Sequence, residues 1–117
     1  MASSVLIVED EWLIAEDHAE TLRDADYQVV GPCATVTEAL AAIDQNHVDA
    51  ACLDVELLNE RSYAIAERLQ QLGIPFVFLS GHDERNLPPI MRRRQVLSKP
   101  VEPARLLAAV AGMTQAP

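Results

Sequence analysis

Five short, continuous apolar runs, each followed by an amphipathic stretch, constrain this chain more than any other feature. The runs are Val5-Leu6-Ile7-Val8, Val29-Val30, Ala50-Ala51-Cys52-Leu53, Phe76-Val77-Phe78-Leu79 and Val96-Leu97. Most are unbroken rather than alternating, which is the pattern of strands covered on both faces of a parallel sheet. The stretches between them carry helical spacing. Ala15, Ala19 and Leu22 recur at i, i+4 and i+7. Thr37 is placed to cap a helix containing Ala39, Leu40 and Ile43. Ser62 is placed to cap a stripe of Ile65, Ala66, Leu69 and Leu72 that stops at Gly73, and Pro103 opens a last stripe of Leu106, Leu107 and Val110.

A strand–helix unit repeated five times gives an α/β fold with helices on both faces of a parallel sheet, linked by right-handed crossovers. At 117 residues the chain suits one domain, residues 1–117, with a flavodoxin-like doubly wound (βα)5 sheet of order 2-1-3-4-5. Functional groups in such sheets gather at the carboxyl ends of the strands. There the first strand presents Glu9-Asp10-Glu11, the third Asp54, the fourth Ser80-Gly81 and the fifth Ser98-Lys99-Pro100. The second ends in Gly31-Pro32 and is expected at an edge.

Glu9, Asp10 and Asp54 therefore crowd one rim. Like charges so close raise carboxylate pKa values, and a hard divalent cation removes the repulsion. Mg2+ suits the set, because one or two carboxylates, waters and phosphate oxygens complete its octahedron. Lys99 is the one lysine beside eight arginines, and lysine serves phosphate as a point charge. A carboxylate nucleophile, a metal, an ammonium and the Ser80 hydroxyl make a phosphoryl-transfer site. Singly, each residue has a plain structural role: Asp10 or Glu11 as a helix cap, Asp54 and Ser80-Gly81 as turns, Lys99-Pro100 as a strand end. Those roles do not account for all four landing at the correct ends of four strands.

The ordered set resembles the response-regulator receiver domains. Val5-Leu6-Ile7-Val8-Glu9-Asp10-Glu11 is similar to their opening and Cys52-Leu53-Asp54-Val55 to their phosphorylation strand. Phe78-Leu79-Ser80-Gly81 is similar to their hydroxyl switch, and Leu97-Ser98-Lys99-Pro100 to their lysine–proline end. The resemblance implies that Asp54 is the phosphoacceptor. It makes Asp10 and Asp54 direct Mg2+ ligands, with Glu9 acting through water and the backbone carbonyl of Glu56 as the third protein ligand. Ser80 and Lys99 bind phosphoryl oxygens, and Lys99-Pro100 is a cis peptide. It further implies a switch rather than an enzyme. Its phosphoryl donor is a histidine kinase or histidine phosphotransfer protein, and its output is a shift around helix 4, strand 5 and helix 5 that controls a downstream protein target. Receivers usually carry an aromatic residue three positions before the lysine; here that position is Val96. Pro75-Phe76-Val77-Phe78-Leu79-Ser80-Gly81 is similar to the subgroup with a Phe-Ala-Thr-Gly motif, which also lacks that aromatic.

Two rivals share parts of this chemistry. A haloacid-dehalogenase-like phosphatase needs a second aspartate two residues after its nucleophile, where Glu56 stands, and its acidic pair comes last in the chain rather than first. A pseudo-receiver is the same fold used purely for binding. The four glycines form no Gly-x-Gly-x-x-Gly, which removes a dinucleotide site. A net charge of −9 opposes direct nucleic-acid binding, and no apolar run is long enough for membrane insertion. No signal peptide is read at Met1-Ala2-Ser3-Ser4. Cys33 and Cys52 fit no metal-ligand spacing, and a reduced, cytoplasmic protein is the simplest account of them. His18, His47 and His82 read as solvated, and Trp12 as either a hydrophobic cover or a partner contact. In the fourth helical segment, residues 83–94, Pro88-Pro89 bars an unbroken helix, so this is expected to be the least stable element.

Overall fold

The computed structural model describes residues 2–81 and 96–114. Five parallel strands form one sheet: β1 (Ser4–Val8), β2 (Gln28–Cys33), β3 (Ala50–Asp54), β6 (Phe76–Ser80) and β7 (Val96–Ser98), in the order β2-β1-β3-β6-β7. This is the expected 2-1-3-4-5 arrangement. Between β3 and the next helix lies a small antiparallel hairpin that the sequence reading did not anticipate, β4 (Glu56–Leu57) with β5 (Glu60–Arg61). Four helices are described: α1 (Trp12–Asp24), α2 (Val36–Gln45), α3 (Tyr63–Leu72) and α4 (Pro103–Thr114). The segment read as the fourth helix, with His82 and Arg92-Arg93-Arg94, lies outside the described residues.

The continuous apolar runs are explained by two cores. Val5, Ile7, Cys52, Val77 and Leu79 face α1 and α4, meeting Ala19, Leu22, Leu106 and Val110. Their neighbours Leu6, Val8, Ala51, Leu53, Phe76 and Phe78 face α2 and α3, meeting Ile43, Ile65 and Leu69. Because successive side chains point to opposite sides, a strand covered on both sides needs every residue apolar. Phe78 is wholly buried, with Tyr63 and Phe76 edge-on to its ring. Phe78→Ala is expected to cost about 3–5 kcal/mol of stability. Urea unfolding should show this as a lower midpoint at unchanged slope.

Local signals are met unevenly. Gly73 closes α3 in the left-handed region at φ 72°, as expected. Ser62 stands at the N-cap of α3, but its hydroxyl makes no cap hydrogen bond and is buried without a partner among the described residues. The cap of α2 is Thr35 rather than Thr37: Thr35 Oγ1 accepts from the Glu38 N–H at 3.1 Å, and Glu38 reaches back to the Ala34 N–H at 2.8 Å. Thr35 has a glutamate three residues on, the spacing of a capping box, and Thr37 has none. Gly31 and Pro32 lie inside edge strand β2, where the register with β1 shifts, rather than after it. A Cβ on Gly31, at φ 94°, would fall 2.7 Å from the Cys33 nitrogen.

Candidate functional site

Parallel pairing sets the ends of four strands side by side. Asp54 is level with Leu79 on β6, and Ser80 is level with Ser98 on β7. Glu9, Asp10 and Lys99 follow β1 and β7 directly. The residues singled out from the sequence therefore meet around one cavity of about 260 Å3, lined by Glu9, Asp10, Asp54, Glu56, Ser80 and Lys99. Carboxylate oxygens of Glu9, Asp10 and Asp54 all lie within 4.8 Å of one another. The Lys99 Nζ donates to Glu9 Oε1 at 2.8 Å and lies 3.1 Å from Asp54 Oδ2. Glu9 Oε2 also accepts the Glu11 N–H at 3.2 Å. Lys99-Pro100 is cis, as is Gly31-Pro32.

Burial and charge divide the protons unevenly. Burial pushes the Asp54 carboxyl up, the neighbouring Glu9 adds to the rise, and Lys99 only partly offsets them, leaving a pKa of about 7. Asp10 is also raised, by burial and then by Glu9. Burial acts on Glu9 in the same sense, but hydrogen bonds to Lys99, Asp54 and the Glu11 N–H outweigh it and hold Glu9 below the ordinary range. Lys99 is raised, its desolvation outweighed by the two carboxylates. Glu9–Lys99 is thus the ionised pair, and Asp54 holds its proton near neutrality.

Such an acidic pocket fits a cation. The donor set is all oxygen, which a hard ion such as Mg2+ prefers, and three carboxylates already converge within one coordination sphere's width. A cation held there by these carboxylates would displace the proton on Asp54.

Several residues depart from their expected setting. His18 is 5% exposed rather than solvated, and its Nδ1 is buried without a hydrogen-bond partner among the described residues. Desolvation lowers its pKa. The signal was present: His18 occupies the i+3 position of the buried stripe Ala15, His18, Ala19, Leu22. His18 and Lys99 both line a second, more apolar cavity of about 540 Å3 beneath α1. The smaller cavity is where the carboxylates converge, so the chemistry belongs there. Trp12 is 72% exposed. His47 is exposed but paired, its Nε2 2.8 Å from Asp49 Oδ1. Both cysteines are free and buried.

The order of the parallel sheet and the acidic pocket at its carboxyl edge are those of a phosphorylation-type signalling module. The sequence model of the response regulator receiver domain matches residues 5–111, and the chain belongs to that family. Among curated proteins it is 30% identical over 114 residues to the phyllosphere-induced regulator PhyR of Methylorubrum extorquens, covering 94% of this chain and 43% of that one. It is 31% identical over 100 residues to the transcriptional regulatory protein PdtaR of Mycobacterium tuberculosis, covering 85% and 49%. The chain therefore spans about half the length of the curated relatives it matches. Among solved structures, SdrG from Sphingomonas melonis Fr1 superposes with a TM-score of 0.83 at 39% identity, over 96% of each chain. No helix among the described residues is long and apolar enough to cross a membrane.

Proposed function

We propose that residues 1–117 form a single receiver domain in which Asp54 accepts a phosphoryl group. The donor is the phosphohistidine of a histidine kinase or a histidine phosphotransfer protein, the setting is the cytoplasm, and the product state controls a downstream protein partner. The observation that carries this reading is Lys99 Nζ held between Glu9 at 2.8 Å and Asp54 at 3.1 Å on a rim shared with Asp10. Asp10, Asp54 and the Glu56 backbone carbonyl are the residues to hold Mg2+, with Glu9 acting through water. Bound there, the ion neutralises the carboxylates and the phosphoryl oxygens.

In the transfer, a carboxylate oxygen of Asp54 forms a bond to phosphorus as the bond from phosphorus to the imidazole nitrogen breaks, and the electron pair stays on the imidazole. Asp54 must first lose the proton that its pKa of about 7 retains. Lys99 then moves its charge from Asp54 Oδ2 toward a phosphoryl oxygen, while its contact with Glu9 keeps the ammonium at the rim. Ser80, buried at the end of β6, offers its hydroxyl to another phosphoryl oxygen. The structure of SdrG described as its BeF3-activated conformation, 38% identical to this chain, supports the reading, since trifluoroberyllate has the shape and charge of a phosphoryl group. The phosphatase alternative needs a general acid two residues beyond Asp54. Glu56 instead has an exposed side chain 3.5 Å from Arg61, which works against that role.

Acetyl phosphate with Mg2+ should give one phosphoryl adduct per chain by intact mass, labile to hydroxylamine and not formed when a chelator is present from the start. Rapid turnover of the donor with no adduct would favour the phosphatase. Neither adduct nor turnover would leave a binding module that is never phosphorylated.

A further inference from the structure

The hairpin of β4 and β5 has strands of only two residues each, too short to hold together alone. Its turn is Leu58-Asn59, with Asn59 in the left-handed region at φ 63° that asparagine tolerates. Leu57 anchors one strand in the apolar cluster against which Val36 also packs. A second anchor lies 24 residues away in the chain, where Glu60 Oε2 accepts the backbone N–H of Val36 at 3.0 Å. Val36 is the first residue of α2, so this N–H is a donor with no partner inside the helix, at the positive end of the helix dipole. The neighbouring donors are satisfied locally, the Glu38 N–H by Thr35 and the Ala34 N–H by Glu38. Glu60 reaches the same helix start from another element.

The register carries this contact to the site. Leu57 pairs with Glu60 and Glu56 with Arg61, and the Glu56–Arg61 ion pair ties the two strands at 3.5 Å. Holding Glu60 against α2 therefore holds the strand that contains Glu56, which borders the acidic cavity. We infer that Glu60 is a positioning residue for the cation site, fixing the Glu56 backbone carbonyl by bonding the start of α2. This rests on the proposed Mg2+ reading. It makes the start of α2, a helix that contributes no ligand, part of what sets cation affinity.

Mg2+ titration calorimetry on the full chain tests it. Glu60→Ala is expected to weaken Mg2+ about fivefold, somewhat less than the roughly 10–100-fold that buried outer supports of a metal ligand contribute, because Glu60 is exposed. Glu60→Gln keeps a neutral acceptor for the Val36 N–H and should stay within about twofold of wild type. Thr35→Ala removes the other cap of α2 without touching the hairpin, so it should lower the melting temperature and leave Mg2+ affinity unchanged. Equal affinities in wild type and Glu60→Ala would overturn the inference and leave the proposed function standing. So would a loss in Thr35→Ala as large as that in Glu60→Ala, since general weakening of α2 would then account for both. A wild-type chain that binds no Mg2+ would overturn the metal reading itself.

Discussion

Replacing Asp54 with asparagine is expected to abolish the phosphoryl adduct formed from acetyl phosphate while making the metal-free protein more stable above neutral pH. The first effect follows from chemistry: an amide offers no anionic oxygen to attack phosphorus, so no adduct above background should appear. The second follows from the raised pKa. In the folded protein the Asp54 carboxyl titrates at about 7, pushed up by burial and then by Glu9. In the unfolded chain it titrates near about 3.9. A group raised in this way contributes stability that is fully present below the unfolded value and is lost as pH rises through the folded one. At pH 8 an ionised Asp54 therefore costs the metal-free domain stability, and asparagine removes that cost. The full shift corresponds to at most about 4 kcal/mol, and relaxation and water entry at the open rim reduce this to about 1–2 kcal/mol. Thermal melts in a chelator should show the Asp54→Asn variant above wild type at pH 8, with the gap closing toward pH 5. An identical pH dependence in the two proteins would mean that Asp54 is already ionised, and the proton distribution described above would be wrong. A hydroxylamine-labile adduct surviving in the variant would remove Asp54 as phosphoacceptor.

Loss of Asp10 is expected to weaken Mg2+ by about 100-fold, the upper range found for outer supports of metal ligands and a reasonable floor for a direct one. Its carboxylate oxygen lies within 4.8 Å of those of Glu9 and Asp54, so no described acidic neighbour replaces it without rebuilding the rim. The affinity should also depend on pH in a particular window. Mg2+ requires ionised carboxylates, and Asp54, at about 7, holds a proton in the metal-free protein. Affinity should therefore fall as pH drops below about 7, by close to tenfold per unit while one proton is displaced. Asp10, also raised, steepens the fall at lower pH. Glu9, held low by Lys99, Asp54 and the Glu11 N–H, joins last. Calorimetry in buffers of different ionisation enthalpy reads the released proton directly. A flat affinity between pH 5.5 and 8, or an Asp10→Ala variant that binds as wild type does, would rule out this ligand set.

Both predictions concern residues that were legible before any coordinates, and the reason is geometric. Parallel strands begin and end in register, so residues that close successive apolar runs must meet along one edge. Asp10, Asp54, Ser80 and Lys99 needed no knowledge of tertiary contacts to be grouped, only a count of where each run stops. The same holds for the two cores, because a run such as Phe76-Val77-Phe78-Leu79 has no solvent-facing residue to spare. Misreadings arose where a local signal had a close competitor. Thr37 and Thr35 differ as caps only through the glutamate at position 38. His18 reads as a lone solvated histidine, although its position in the helix places it on the buried stripe.

What the sequence by itself determined is the strand–helix alternation, the doubly wound sheet and the membership of the acidic rim, because each depends on periodicities and run ends read within a few residues. The tertiary structure alone decided how protons divide among the rim residues, since the shift of Asp54 to about 7 arises from burial and from Glu9, which is 45 positions away. It alone showed the hairpin after Asp54 and its tie to α2, because the Glu60–Val36 bond joins two segments with no common periodicity. Local pattern is set by backbone geometry, whereas desolvation and long-range hydrogen bonds exist only once distant segments have packed.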